Sequence, residues 1–156
     1  MLRTSVAALV VLCSLAGVAT AGPDEDAVRH LLHATFDKPE ARLVVDPVVV
    51  VGDHAIAGWS QGDMGGRALL RKKGAAWDIV LCAGDDLKKA DLLVKVGMPD
   101  ARAKALSADL AKAEAMLPPA RLPLFSKFEG LVMVDRDGGH HGPGLPAAHH
   151  PLGLKP

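Results

Sequence analysis

The sequence has 156 residues, with 18 basic and 18 acidic side chains, so its formal net charge is zero. This length suits one domain, and the balanced charge argues against a nucleic-acid partner, because such partners need a basic surface. Aromatic residues make up only 3% of the chain and tyrosine is absent. Alanine, valine and leucine must therefore supply most of the buried volume.

Residues 1–21 have the pattern of a cleavable export signal. Arg3 is followed by an apolar run over residues 6–18, and the segment closes with Ala19-Thr20-Ala21, the small-x-small pattern that signal peptidase accepts. The run is too short to span a bilayer, which takes about 20 apolar residues. A buried N-terminal helix is the alternative, but it would show polar residues every few positions. We therefore predict a mature protein that starts at Gly22, without stable membrane insertion, in the periplasm or otherwise exported.

One helix and four strands are predicted after the signal. Pro23, followed by three acidic residues, is typical of a helix start, and the helix should end before Pro39. Turn signals then divide the next stretch into strands over 42–51, 54–61, 67–73 and 76–83, with a glycine-rich hairpin loop over 62–66. Connections this short force antiparallel pairing, so we predict a four-stranded meander. The proline in Asp46-Pro47 indicates an edge strand or a bulge.

The rest of the chain predicts helices and then a tail. Helices are expected over 87–96 and from Pro99 to about Leu117, and residues 122–134 are apolar enough to dock on the domain. From Asp135 onward, glycine, proline and histidine dominate, so we predict a single domain over 22–134 and a disordered tail over 135–156. The fold class is α+β, with the helices expected on one face of the sheet.

Histidines in the predicted tail are the first candidates for chemistry. They form two adjacent pairs, and imidazole is a good ligand for copper, zinc and nickel. The pairs are His140-His141 and His149-His150. Glycine and proline between the pairs would let the chain bend both toward one ion. A solvated end with no role is the alternative interpretation.

Candidates on the folded domain carry weaker signals. His30 and His33 share a face of the first helix, but exposed histidines at this spacing are more often plain surface. Cys82 is the single cysteine of the mature chain, so no internal disulfide is expected. Cys82, Met64 and His54 are further candidate copper ligands, the first two because sulfur suits cuprous copper. A lone cysteine is more often a small buried apolar residue.

Alternation along the fourth predicted strand assigns its side chains to faces. Trp77, Ile79 and Leu81 should face one side of the sheet, and Cys82 should face the other side with Val80.

The sequence lacks the usual enzyme signatures: no zinc-hydrolase helix pair, phosphate-cradling glycine loop or nucleophile elbow occurs in it. We therefore expect no enzymatic activity.

Several blocks of the chain carry a family resemblance, and their order is retained over nearly the whole predicted mature sequence. They comprise residues 33–40, 45–49, 52–59, 65–70, 77–84 and 124–130, read as HATFDKPE, VDPVV, GDHAIAGW, GGRALL, WDIVLCAG and LFSKFEG. In these blocks the chain resembles the small exported bacterial proteins named copper uptake system-associated proteins. The resemblance implies an exported accessory protein of copper acquisition, and it supplies no settled catalytic residues to carry over to this chain.

These observations predict an exported α+β domain that binds or hands on copper in the cell envelope. A copper ion is the expected ligand, and envelope proteins of copper uptake are the expected partners. The main alternative is a non-catalytic interaction or small-ligand-binding module without a metal role.

Overall fold

The computed structural model describes residues 22–134 and the backbone of residues 140–141. The predicted signal over 1–21 lies outside the described residues. So does most of the predicted tail, including His149 and His150.

Helix α1 spans Pro23–Phe36, as the proline and the acidic residues predicted. Asp24, Glu25 and Asp26 lie in its first turn, where the helix dipole favours negative charge. At the other end, the carboxylate of Asp37 accepts a hydrogen bond of 2.7 Å from the backbone N–H of Leu43. This bond joins the end of α1 to the start of the sheet.

An antiparallel sheet follows in chain order. Its strands are β1 (Leu43–Val51), β2 (His54–Gln61), β3 (Met64–Lys73), β4 (Ala76–Ala83), β5 (Leu131–Val134) and the two-residue β6 (His140–His141). The predicted meander is therefore present as β1 to β4, and two later strands extend it. Glycines with positive φ form the three turns of the meander, at Gly52, Gly62 and Gly74. The register of β1 shifts between Val45 and Val48, so the proline marks a bulge on an edge strand.

The turn between β2 and β3 is shorter than the predicted five-residue loop. Only Gly62 and Asp63 form the turn, and Gly66 pairs with Trp59 inside the sheet. A Cβ on Gly66 would lie 2.8 Å from the Cβ of Phe128. The glycine therefore allows residues near 128 to pack directly on the strand.

Strand β4 contains a bulge that reverses the predicted faces. Leu69 pairs with Leu81 while Leu70 pairs with Ile79, so Val80 is an extra residue. Trp77 and Ile79 consequently share a face with Cys82, whereas Leu81 and Val80 pack on the other face. The prediction for this strand was wrong because one inserted residue inverts the alternation of everything beyond it.

The helices between β4 and β5 are shorter than predicted. A 3-10 helix over Asp85–Lys88 precedes α2 (Ala90–Lys95), so the predicted helix over 87–96 is divided in two. Helix α3 spans Asp100–Ala115, and α4 is the single turn Leu122–Phe125.

Helices cover both faces of the sheet, so the expectation of one covered face was wrong. Val28 and Leu32 of α1 pack with Ala55 and Ala57 on one face. The opposite face carries Ile56 packed with α2 and α3, through residues that include Leu93, Leu106 and Leu110. Strands β2 and β3 are buried on both faces, and such strands contain near-continuous apolar residues rather than a clean alternation. The α1 face holds Cys82 and the pocket described below.

Candidate functional site

The thiol of Cys82 lies on the α1 face of β4 and is buried. Burial raises the pKa of Cys82 to about 12, because a thiolate loses its hydration in apolar surroundings. The residue is therefore a protonated thiol at neutral pH. It is opposite Ala68 on β3 and opposite Val132 on β5.

His54 begins β2 and is held by a carboxylate. Its Nδ1 atom lies 2.9 Å from Oδ1 of Asp53, and the same oxygen accepts a hydrogen bond from Arg102. Burial lowers the pKa of His54; Asp53 opposes this shift, while Arg71 and Arg102 add to it. The imidazole is thus neutral at pH 7. A carboxylate behind the ring is common for metal-binding histidines, but the two nearby guanidinium groups disfavour a cation.

Met64 begins β3 and is 44% exposed. It pairs with Gln61 at one end of the β2–β3 ladder, and His54 pairs with Arg71 at the other end. Seven residues of strand separate these ends, which corresponds to about 23 Å at 3.3 Å per residue. The fold therefore keeps Met64 and His54 apart, with Cys82 near the middle of the sheet on the α1 face.

The described part of the chain contains no group of three or more His, Cys, Asp or Glu side chains that could hold a metal ion. His30 and His33 are exposed on α1. Of the two tail pairs, only the backbone of His140-His141 is described. It forms β6, with His141 opposite Met133 and His140 opposite Val134. Met133 is 41% exposed.

A pocket of about 180 Å³ opens on the α1 face, and sequence reasoning missed it. The rings of Phe36, Trp59 and Phe128 line it, together with the side chains of Val132 and Val134. Trp59 and Phe128 meet edge to face, with ring centroids 5.7 Å apart. Residues 43, 82 and 132, from three different strands, line it beside the aromatic rings.

Two polar side chains bear on this pocket. Gln61 and the Cys82 thiol contribute to its lining. Nε2 of Gln61 donates hydrogen bonds of 2.8 Å to the backbone carbonyls of both Phe36 and Ala41. Nε1 of Trp59 is a buried donor without a hydrogen-bond partner among the described residues.

A buried ion pair lies on the face of the sheet opposite α1, and sequence reasoning did not predict it. Arg67 of β3 donates to both carboxylate oxygens of Glu114 on α3, at 2.6 and 2.9 Å. It also donates to Asp85 at 3.1 Å and lies 5.3 Å from the ring centroid of Phe125. Since each of the three guanidinium nitrogens donates to a carboxylate oxygen, this cluster is suited to holding α3 and α4 on the sheet.

Comparison with known protein families, with curated proteins and with solved structures finds no match for this chain. Within residues 22–134, none of the helices combines the length and the apolar character needed to cross a bilayer.

Proposed function

We propose that this chain is an exported accessory protein of copper acquisition, which binds or hands on copper in the cell envelope without catalysing a reaction. The observation that carries the proposal is the backbone register at the sheet edge, where β6, a pair of histidines, lies against β5 with His141 opposite Met133. Histidine nitrogen and methionine sulfur are both ligand types that copper accepts.

Histidine content at the carboxyl end supports a copper site there. The two pairs, 140–141 and 149–150, hold four of the seven histidines of the chain. An ion bound by the first pair would be held at the edge of the sheet, beside Met133.

The resemblance to copper uptake system-associated proteins is the second support. Residues from separate blocks of that resemblance pack against each other: a Cβ on Gly58 would lie 2.9 Å from the ring of Phe125, and Gly66 contacts Phe128. Arg67, from the same block as Gly66, lies over the Phe125 ring. The blocks of the resemblance therefore contain residues whose contacts hold separate parts of the folded domain together.

Copper titration of residues 22–156 tests the proposal. Copper should bind more tightly than nickel or zinc, following the usual order of divalent affinities, and affinity should fall below the imidazole pKa of about 6.5. Replacing all four tail histidines with alanine should weaken copper binding by at least about tenfold. The matched control replaces His30 and His33, an exposed pair elsewhere on the surface, and should bind copper like the parent.

Two results would overturn parts of the proposal. Equal copper affinity in the parent and in the variant lacking the four tail histidines would exclude the tail as the site and direct attention to Cys82, Met64 and His54. Absence of specific copper binding in the parent would overturn the copper function. The alternative of an interaction or small-ligand-binding module would then remain.

A further inference from the structure

The pocket on the α1 face is large for a gap inside a small domain. Protein interiors are packed nearly as densely as organic crystals, and voids larger than a water molecule are few. A volume of about 180 Å³ exceeds the roughly 150 Å³ of an apolar cavity that can bind benzene. The pocket therefore has room for a molecule of one ring.

The walls of the pocket select an apolar ligand. Aromatic side chains from α1, β2 and the segment before β5 form one part, and the valines of β5 form another. The Cys82 thiol is protonated, since burial raises its pKa to about 12, so it adds no charge. No Lys, Arg, Asp, Glu or His of the described chain lines this pocket.

Apart from the Cys82 thiol, the pocket offers a ligand the side-chain amide oxygen of Gln61. The two Nε2 hydrogens are used by the carbonyls of Phe36 and Ala41, which fixes the orientation of the amide. The flipped amide would set its oxygen against two carbonyl oxygens, and that arrangement is repulsive. Oε1 is left as an acceptor with no hydrogen bond from the described residues, and Nε1 of Trp59 is buried without a partner among them.

We propose that this pocket binds a small planar apolar molecule, about one aromatic ring in size, which carries one hydrogen-bond donor. The ring would fill the space between the aromatic wall and β5, and the donor would bond to the Gln61 oxygen. Simple phenols have these properties. This site uses the α1 face of the sheet and is independent of the histidines of the tail.

A phenol titration of the metal-free protein that comprises residues 22–156 tests this site. Amide chemical shifts measured by NMR monitor the binding. Saturable shifts should concentrate at the pocket residues, among them Trp59, Phe128 and Val132. Toluene has the same ring size but no donor, so it should bind several-fold more weakly than phenol.

Variants on neighbouring positions of β5 provide a matched pair. Val132→Phe fills the pocket and should weaken phenol binding by at least about tenfold. Met133→Phe adds a ring on the adjacent residue, which pairs with Leu81 of the opposite face, and should leave phenol binding unchanged. Val134→Phe reaches the pocket from the end of the same strand and replaces Val132→Phe if that variant does not fold.

Three results would overturn the proposal. They are the absence of saturable phenol shifts at millimolar concentration, undiminished phenol binding in a folded pocket-filling variant, and toluene binding as tightly as phenol. Because the protein is free of metal throughout, none of these results depends on whether copper binds.

Discussion

Arg67 and Glu114 are 47 positions apart in the sequence and form a two-pronged ion pair in the interior, with Nε–Oε1 and Nη2–Oε2 distances of 2.6 and 2.9 Å. Their side chains are only 1% and 5% exposed. A charge removed from water is costly unless a partner compensates it, so each residue depends on the other. The pair joins β3 to α3 across the apolar core on that face.

Glu114→Gln should destabilise the domain by about 3 kcal/mol, because it leaves the buried guanidinium with the half-exposed Asp85 as its remaining carboxylate. Urea unfolding followed by circular dichroism measures this loss. The control is the double variant Arg67→Met with Glu114→Met, which removes both charges and should recover most of the stability. Stability of the single variant within about 0.5 kcal/mol of the parent would contradict the assignment.

His54 should make the domain less stable as the pH falls from 7.5 to 5.5. Burial lowers its pKa, opposed by Asp53 and assisted by Arg71 and Arg102, so the unfolded chain takes up a proton at a higher pH than the folded one. The stability that the neutral ring contributes is complete above the unfolded pKa of about 6.5 and is lost below it. One proton accounts for at most about 1.4 kcal/mol per pH unit.

Comparison of the parent with His54→Asn isolates this effect. Urea midpoints measured over the same pH range should decline more steeply in the parent than in the variant. Identical slopes would show that His54 titrates alike in both states.

Cys82 should resist alkylation in the folded state. With a pKa of about 12, only about one thiol in ten thousand is ionised at pH 8, and the thiolate is the reactive form. In the protein that comprises residues 22–156, iodoacetamide should therefore alkylate the Cys82 thiol at least about 100-fold more slowly in buffer than in urea. Mass measurement over time would show this difference. Rapid modification without urea would place the thiol at an accessible, ionised position.

Much of the sheet could be predicted from local signals, whereas the pocket could not. The bounds of β2 and β4 match the predictions because glycines with positive φ, among them Gly52 and Gly74, mark the turns beside them. The extra residue at Val80 has no comparable mark, and it moved Trp77 to the face of Cys82.

Contacts between distant segments explain the other differences. Strand β5 has only four residues, too few for a clear alternation, and its pairing depends on the exposed edge of β4. The pocket depends on the same strand, since Val132 lines it opposite residues more than 40 positions earlier in the chain. Neither spacing nor composition reports such a gap.

Met133 should contribute to cuprous but not to cupric affinity, if the first histidine pair binds copper at the sheet edge. Its thioether is a soft ligand, and β6 lies beside it in register. Met133→Leu should weaken cuprous binding several-fold in a competition titration. Met116→Leu, on a methionine that is 86% exposed at the end of α3, is the matched control and should bind like the parent. Equal affinities in both variants would remove Met133 from the site.

Native mass spectrometry of the protein recovered from the envelope of the producing cell, grown with copper, tests the central claim most directly. One spectrum reports the amino terminus and the bound metal together. The account predicts a chain that begins at Gly22 and carries copper, and a variant without His140, His141, His149 and His150 that begins at the same residue and carries several-fold less. A chain that retains residues 1–21, or equal copper in parent and variant, would contradict it.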